Sequence, residues 1–417
     1  MFKKISMSRL VFYFLCSTFL LFTSFTVRTS AKDVKVVITN TGDDQRHEVV
    51  EVDMASLKRI LGPATNLVVK NRIGQQIISQ QSYDGKLLID ASVRPHSSST
   101  YYISVGKPLP MKSFVYGRMV PERKDDIAWE NDRCAYRVYG PALQRSGERS
   151  FGIDVWVKNT PELVINQRYA TDIQGFKETQ RLRKEGLTEK ADSNHLATSF
   201  HIDRGTGYDP YAVGPTLGCG APALFIGDSI VMPYCYEDYQ ILDQGPLRFT
   251  VALRYEPREI HGNKSVVEHR IISLDKGRNF NKMTVWYTGL KRPTDFAAGF
   301  VIHADDTTTV RWGKNYIQYA DPTDNIDVNN SQLYIGILFP AGFDQTRQLN
   351  DEKPSGGNMG HALAIHHGLK DSERITYYFG AAWSRYDVLT QREWQLRIDE
   401  TLDWLTTPLK VEMQSNR

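Results

Sequence analysis

The sequence predicts a mostly β protein: a small N-terminal β-sandwich, a large antiparallel β-sandwich domain and one amphipathic helix near the end of the chain. Three observations carry this. Strand-length apolar runs recur along the chain, separated by turn signals such as Asn40-Thr41-Gly42-Asp43-Asp44 and Asp84-Gly85. The longer runs are mixed and often two-sided in polarity, which suits antiparallel sheets stacked on one another. Helical periodicity is confined to a few segments.

Taken in order, residues 1–31 read as an address rather than as fold. Lys3, Lys4 and Arg9 precede an apolar run over 10–27, and Thr29-Ser30-Ala31 follows. This is the pattern of a secretory signal peptide cleaved after Ala31, which places the mature chain in the periplasm or outside the cell. Cys16, Ser17, Thr18, Thr23 and Ser24 dilute the run and disfavour an uncleaved membrane anchor. The segment holds Lys3, Lys4, Arg9 and Arg28 and no acid, so its removal takes the net charge from +3 to −1. A nucleic-acid partner is therefore not expected.

Residues 32–110 form the small sandwich, with strands predicted over 34–38, 47–52, 66–70, 76–80, 86–89 and 101–105, and Pro108-Leu109-Pro110 as a linker. Residues 111–417 form the large domain. Its strands are predicted over 134–139, 152–158, 247–255, 266–273, 282–287, 298–303, 315–319, 333–339 and 375–381. Residues 179–190 read as a charged, exposed helix or loop. Leu389, Trp394, Ile398, Leu402 and Leu405 stand at helical spacing and predict an amphipathic helix closing the chain.

The 417 residues, 41% hydrophobic and 24% charged, are ordinary globular usage and exclude a disordered, collagen-like or coiled-coil chain. No GxGxxG or Walker loop occurs, so no nucleotide cofactor is expected. Cys134, Cys219 and Cys235 remain after cleavage. Cys219 with Cys235 is the simplest pairing, and buried free thiols are the favoured reading.

Three stretches carry more polar chemistry than strands need. In the first, Trp129-Glu130-Asn131-Asp132, an indole covers the apolar face of a sugar while carboxylates and an amide grip its hydroxyls. The second runs from 201 to 220, with glycines at 205, 207, 214, 218 and 220. Such a loop lets the backbone approach a ligand. It supplies His201, Tyr208 and Tyr211 as acid or base candidates and Arg204 and Asp209 as binding groups. The third combines Tyr236 and Glu237 with Trp383 and Arg385, where stacking faces stand beside an Arg suited to a uronate carboxylate. His303 ends an apolar strand as a further binding candidate. His361, His366 and His367 cluster poorly for a metal. Asp305, Asp306, Asp324 and Asp327 are an oxygen-rich set that could hold Ca2+.

The segments over 129–143, 152–158, 208–225 and 377–387 (WENDRCAYRVYGPAL, GIDVWVK, YDPYAVGPTLGCGAPALF and YYFGAAWSRYD) resemble the family catalogued as domain of unknown function 4861, over roughly residues 35–405. The resemblance implies an exported protein of a polysaccharide-degradation system, often of pectin type, and transfers no catalytic residues. The layout is also similar to the galactose-mutarotase-like supersandwich, so the large domain is expected to be supersandwich-like. The expected function is action on an acidic, uronate-containing oligosaccharide by hydrolysis, β-elimination or epimerisation. In the first case Glu130, Asp132 or Glu237 would supply the carboxylate pair. In the others His201 or Tyr211 takes the proton beside the uronate carboxyl group. Non-catalytic glycan binding is the alternative.

Overall fold

The computed structural model describes residues 33–63, 65–303, 310–322, 331–355 and 357–415. The predicted leader at 1–31 and the four aspartates at 305, 306, 324 and 327 lie outside the described residues.

The N-terminal unit is two sheets over one apolar core. A four-stranded sheet has the order Lys410–Ser415, Val34–Asn40, Ser97–Val105, Leu67–Asn71. A three-stranded sheet has the order Arg46–Asp53, Lys86–Val93, Ser79–Gln81. Along Val34–Asn40 every second residue is buried, and Val34, Val36 and Ile38 meet Val50, Val52, Leu87 and Ile89 inside. The eight-residue helix Met54–Leu61 was not expected from the pattern. It starts where the Asp53 carboxylate accepts the Ser56 N–H at 2.8 Å, an N-cap contact, and buries Met54, Leu57 and Leu61.

The large unit stacks a nine-stranded sheet on a five-stranded one. The nine-stranded order begins Tyr236–Gln244, Arg248–Tyr255, Asn263–Asp275, Phe280–Thr288, with the short strand Arg258–Ile260 beside Asn263–Asp275. It continues Ile375–Trp383, Leu333–Leu338, Tyr316–Asp321, Val310–Trp312. The five-stranded order is Ser229–Val231, Cys219–Ile226, Thr294–Ile302, Asn358–Leu369, Gln345–Ser355. All neighbours pair antiparallel. Phe249, Ile272, Met283, Phe300, Ile335 and Phe379 belong to the principal core. Cys134, Cys219 and Cys235 are buried free thiols, so the pairing of Cys219 with Cys235 is not made.

A third sheet, of four strands, carries the helices. Its order is Ile153–Val157, Cys134–Val138, Asp126–Glu130, Tyr116–Val120. Ile127, Trp129, Tyr136, Val138, Ile153 and Val155 join the principal core. The alternate residues Ala128, Ala135 and Trp156 pack instead with Ile165, Tyr169 and Phe200. Ile165 and Tyr169 belong to the helix Ile165–Lys184, which with Thr188–Thr198 replaces the single charged segment expected over 179–190. Neither helix is strongly amphipathic. Their polar character follows from a contact limited to Ile165, Arg168, Tyr169, Gly175, Thr179, Leu182 and Ala191.

The closing helix runs Gln391–Thr406, with the Thr390 side chain accepting the Glu393 N–H. Trp394 and Ile398 are fully buried under Tyr334, Leu338 and Phe280. Burial of each such side chain contributes about 1.5–3 kcal/mol. Leu389, the first residue of the predicted stripe, is exposed because the helix starts after it. The helix does not end the chain: Lys410–Ser415 returns to the N-terminal unit and pairs with Val34–Asn40.

Candidate functional site

The third sheet brings charge into its helix-facing layer by strand alternation alone. Asp126, Arg137 and Asp154 occupy the same side as Ala128, Ala135 and Trp156, with Arg137 directly opposite Asp154 in register. Arg137 is the hub. Its guanidinium lies 2.5 Å from Asp154, 3.0 Å from Asp209 and 3.5 Å from Asp126, and all four side chains are at most 4% exposed. Tyr139 and Trp156 lie under the same guanidinium at 4.8 and 5.2 Å. The Trp156 indole N–H donates to Asp154 at 3.1 Å.

Three carboxylates share one guanidinium in a dry layer, so their charges are not fully balanced. Burial pushes the Asp154 carboxyl up to about 8, against the pull of Arg137. Burial likewise raises Asp126 to about 6. Burial thus favours the protonated form within the cluster, against the pull of its single guanidinium.

The glycine-rich loop covers this cluster. It is clamped to the end of strand Ile153–Val157, where the Val157 N–H donates to the Tyr208 carbonyl at 2.9 Å and the Tyr208 N–H to the Val157 carbonyl at 3.2 Å. Gly207 makes the approach possible: its φ is +92°, and a Cβ there would lie 2.1 Å from the Val157 oxygen. Asp203 receives the Gly205 and Gly207 N–H groups, each at 2.9 Å. Asp209 enters the cluster from this loop, and His201 stands above it. The His201 side chain is 56% exposed, and its Nδ1 lies 3.0 Å from the Asp209 carbonyl oxygen and 3.7 Å from the Asp209 carboxylate. Nδ1 must then carry the proton, which leaves Nε2 with a free lone pair.

Phe200, whose ring is 4.6 Å from that of His201, lines a cavity of about 260 Å3 together with Gln167, Arg168, Thr171, Arg204 and Gly207. Arg168 is 8% exposed and donates through one nitrogen to the Val157 and Thr206 carbonyls, at 3.0 and 2.6 Å. Burial lowers it to about 10. Arg204 is exposed and donates to the Ser199 carbonyl at 2.6 Å. Arg385 reaches the same loop, 3.7 Å from Asp203, with its guanidinium 5.7 Å from the Trp383 ring.

Of the residues expected to act, the structure thus gathers His201, Arg204, Asp209 and Arg385 around one loop. Tyr208 and Trp383 lie beneath it, both buried and 5.8 Å apart edge to face. Tyr211 packs against His303. It is 5% exposed and edge-on to His303 at 5.1 Å, with its hydroxyl lacking a hydrogen-bond partner among the described residues. His303 is itself held at both ring nitrogens, 2.7 Å from Asp321 and 2.7 Å from the Ala212 carbonyl. It locks the loop and offers no free nitrogen to a ligand.

The Trp129 segment is scaffold, which corrects its reading as a sugar grip. Trp129 is fully buried, stacks between Tyr136 and Phe249, and donates to Asn281 at 2.7 Å. Glu130 is buried against Lys158 at 2.7 Å and receives the Val164 and Ile165 N–H groups, so it holds the start of helix Ile165–Lys184. Asn131 donates to the Asp275 and Arg278 carbonyls, each at 2.7 Å, and Asp132 accepts the Gly277 N–H at 2.7 Å. Tyr236 is buried and bonds the Asp125 carbonyl, while Glu237 is exposed on an edge strand and pairs with Arg254 at 2.8 Å. Glu130, Asp132 and Glu237 therefore form no carboxylate pair.

Arg137, Asp126, Asp154 and Arg168 were missed. A signal for the first three was present: a charge at an alternating position inside an otherwise apolar strand, as in Ile153-Asp154-Val155-Trp156-Val157. Among the described residues no group of three or more His, Cys, Asp or Glu side chains is arranged to hold a metal ion.

These features define a mostly β protein with stacked antiparallel sheets and a loop-covered charged cluster. The chain belongs to the family described as a domain of unknown function (DUF4861), whose profile matches residues 38–411. It is 26% identical over 341 residues to the uncharacterized protein P7 of Formosa agariphila, covering 79% of this chain and 78% of that one. Among solved structures it is similar to an alpha-mannosidase from Enterococcus faecalis, with 9% identity, a TM-score of 0.47 and coverage of 93% of this chain and 47% of that one. A glycosyl hydrolase family 38 protein from the same organism gives 9% identity, a TM-score of 0.48 and coverage of 93% and 48%. The chain spans about half the length of these solved structures.

Proposed function

We propose that this chain is an exported carbohydrate-active enzyme that takes a proton from an acidic, uronate-containing sugar, with His201 as the base. The observation that carries the reading is the anchored, half-exposed imidazole of His201 beside an arginine-walled cavity. Its Nδ1 is committed to Asp209, so Nε2 is the basic atom, and geometry of this kind is what a general base requires. Arg204, and Arg385 across the loop, are the cations available to the substrate carboxylate, whose neutralisation acidifies the adjacent C–H. Phe200 offers an apolar surface at the cavity. The volume, about 260 Å3, is just below the usual ligand-pocket range of about 300–1,000 Å3 and suits one sugar unit. Family membership adds the implied setting of polysaccharide breakdown.

Elimination or epimerisation is the version with the best-placed groups, because Glu130, Asp132 and Glu237 are occupied elsewhere.

The test is incubation of residues 32–417 with saturated and 4,5-unsaturated uronate oligosaccharides, following ultraviolet absorbance, product masses and, for epimerisation, the ring configuration by proton NMR. A gain of absorbance that disappears in His201→Ala, with binding retained, is the expected result. A mass gain of water without absorbance change would replace proton abstraction with hydrolysis. Binding without turnover across the panel would make the chain a glycan-binding protein.

A further inference from the structure

A second cavity, of about 380 Å3, lies where the N-terminal unit meets the outer face of the nine-stranded sheet. It shares no lining residue with the His201 site, and the choice of an acidic sugar as its ligand rests on the preceding reading. Strand Arg46–Asp53 forms one wall, the sheet from Ser273 to Lys282 the second, and the end of the closing helix with residues 408–411 the third. Asn131 and Asp132 fasten the turn between Asp275 and Arg278 and so fix the second wall.

The charges in this cavity are almost matched. Glu48 serves both Arg46, at 2.6 Å, and Arg278. Arg248 is held by Asp275 at 2.6 Å and by Glu51 at 2.7 Å. Arg46 and Arg278 also lie over the Trp404 ring at 5.0 and 4.4 Å. With these pairs complete, Lys282 is left over. It is exposed, lines the cavity, and makes no ion pair among the described residues. Four cations thus face three carboxylates, a surplus of one positive charge. Ser273 and Tyr378 flank Lys282 on the neighbouring strands, and Phe280 and Leu409 line the same cavity.

We propose that this interdomain cavity is a binding site for one carboxylate-bearing sugar unit of an acidic glycan, with Lys282 pairing the carboxylate. A single uncompensated cation selects one negative charge, which fits a uronate better than a phosphate dianion. Tyr378, opposite Lys282 in register, covers the C–H face of the ring, and Ser273, opposite Lys282 on the other side, meets its hydroxyls. Cavities at domain junctions are a preferred place for such ligands. Occupancy ties the N-terminal unit to the large one through a shared ligand and gives a long chain a foothold away from the His201 loop.

The experiment is calorimetric titration of His201→Ala, residues 32–417, with trigalacturonate, with a neutral galactose trisaccharide, with a sulfated galactose trisaccharide and with inorganic phosphate. Trigalacturonate is expected to bind and the others to bind at least about tenfold more weakly, the usual scale for losing one charge-assisted contact. Lys282→Glu in the same background is expected to weaken trigalacturonate about tenfold or more, with an unchanged thermal midpoint. Tyr378→Ala is expected to weaken it while leaving the preference for the acidic sugar. Equal affinity in Lys282→Glu, or equal binding of the neutral trisaccharide, overturns the proposal. So does tighter binding of phosphate or of the sulfated sugar. Lys282→Glu alone should keep His201-dependent turnover of a short substrate. Loss of that turnover in the parent protein with Lys282-dependent binding intact would sink the enzyme reading and leave this site standing.

Discussion

The imidazole of His201 is held by the backbone of Asp209, 3.0 Å from its carbonyl oxygen, while the carboxylate of the same residue is 3.7 Å away and committed to Arg137. One residue thus orients the exposed ring with its main chain and anchors the loop with its side chain. The two jobs separate by mutation. His201→Gln should lower turnover about 10²- to 10⁴-fold, the usual worth of a general base, without moving the thermal midpoint. Asp209→Asn keeps the carbonyl and should cost stability more than it costs turnover per folded molecule. Steady-state rates set beside thermal melts check both.

Arg137 is predicted to be the most costly of the charged residues to remove. Arg137→Met strands three buried carboxylates, and the loss of one partner from a buried ionic group is worth about 3–5 kcal/mol. Asp154→Asn keeps a hydrogen-bonding group of the same shape in the cluster and should be tolerated far better. Urea unfolding of the two variants, compared at equal m-value, measures the difference.

The raised Asp154 makes stability fall as pH rises. Its folded-state carboxyl titrates at about 8 against an ordinary value of 3.8, so between these limits the folded chain holds a proton that the unfolded chain has lost. Below this window the group is neutral in both states and contributes nothing. Through it, stability drops by at most about 1.4 kcal/mol per pH unit, and above it the penalty is constant. Asp126, raised to about 6, adds to the slope over its lower part. Denaturation midpoints from pH 5 to 8 should fall in the parent and fall less steeply in Asp154→Asn.

Two histidines near the loop should differ in protonation. Both ring nitrogens of His303 face acceptors, the Asp321 carboxylate and the Ala212 carbonyl, so the ring is an imidazolium. Burial opposes that charge, and Asp321 outweighs it, leaving the pKa above its ordinary value. His361 accepts the Leu217 N–H at 3.2 Å, and burial together with the His303 charge takes it down to about 4. Nitrogen-15 spectra of the imidazoles at pH 6.5 should show His303 doubly protonated and His361 neutral. The stability due to His303 is present below its unfolded pKa and lost as pH rises through the folded one.

Glu130 is predicted to behave as framework. Glu130→Ala leaves Lys158 buried without its carboxylate and uncaps helix Ile165–Lys184, so a loss of several kcal/mol is expected with turnover per folded molecule unchanged. Denaturation and activity measured on the soluble fraction check it.

Much of the fold was legible because strand alternation and helical stripes are local. The predicted run over 34–38 lies within Val34–Asn40, and the stripe of Trp394 and Ile398 marked the helix Gln391–Thr406. Cys219–Ile226 and Asn358–Leu369 were missed because they are buried on both faces and show no alternation. The site was legible only in part. The glycines around His201 announced a loop, but Trp129 and Glu130 carry the same residue types as a sugar grip and face inward. Their partners, Asn281 and Lys158, come from distant positions that spacing does not connect.

The first described strand and the last run side by side, with Val34 opposite Ser415. On the ribosome the strand Val34–Asn40 must therefore wait with one edge open until Lys410–Ser415 emerges. Deleting the six residues Lys410–Ser415 should leave that edge unsealed and open to a neighbouring chain, so their loss would announce itself at Val34–Asn40, as self-association.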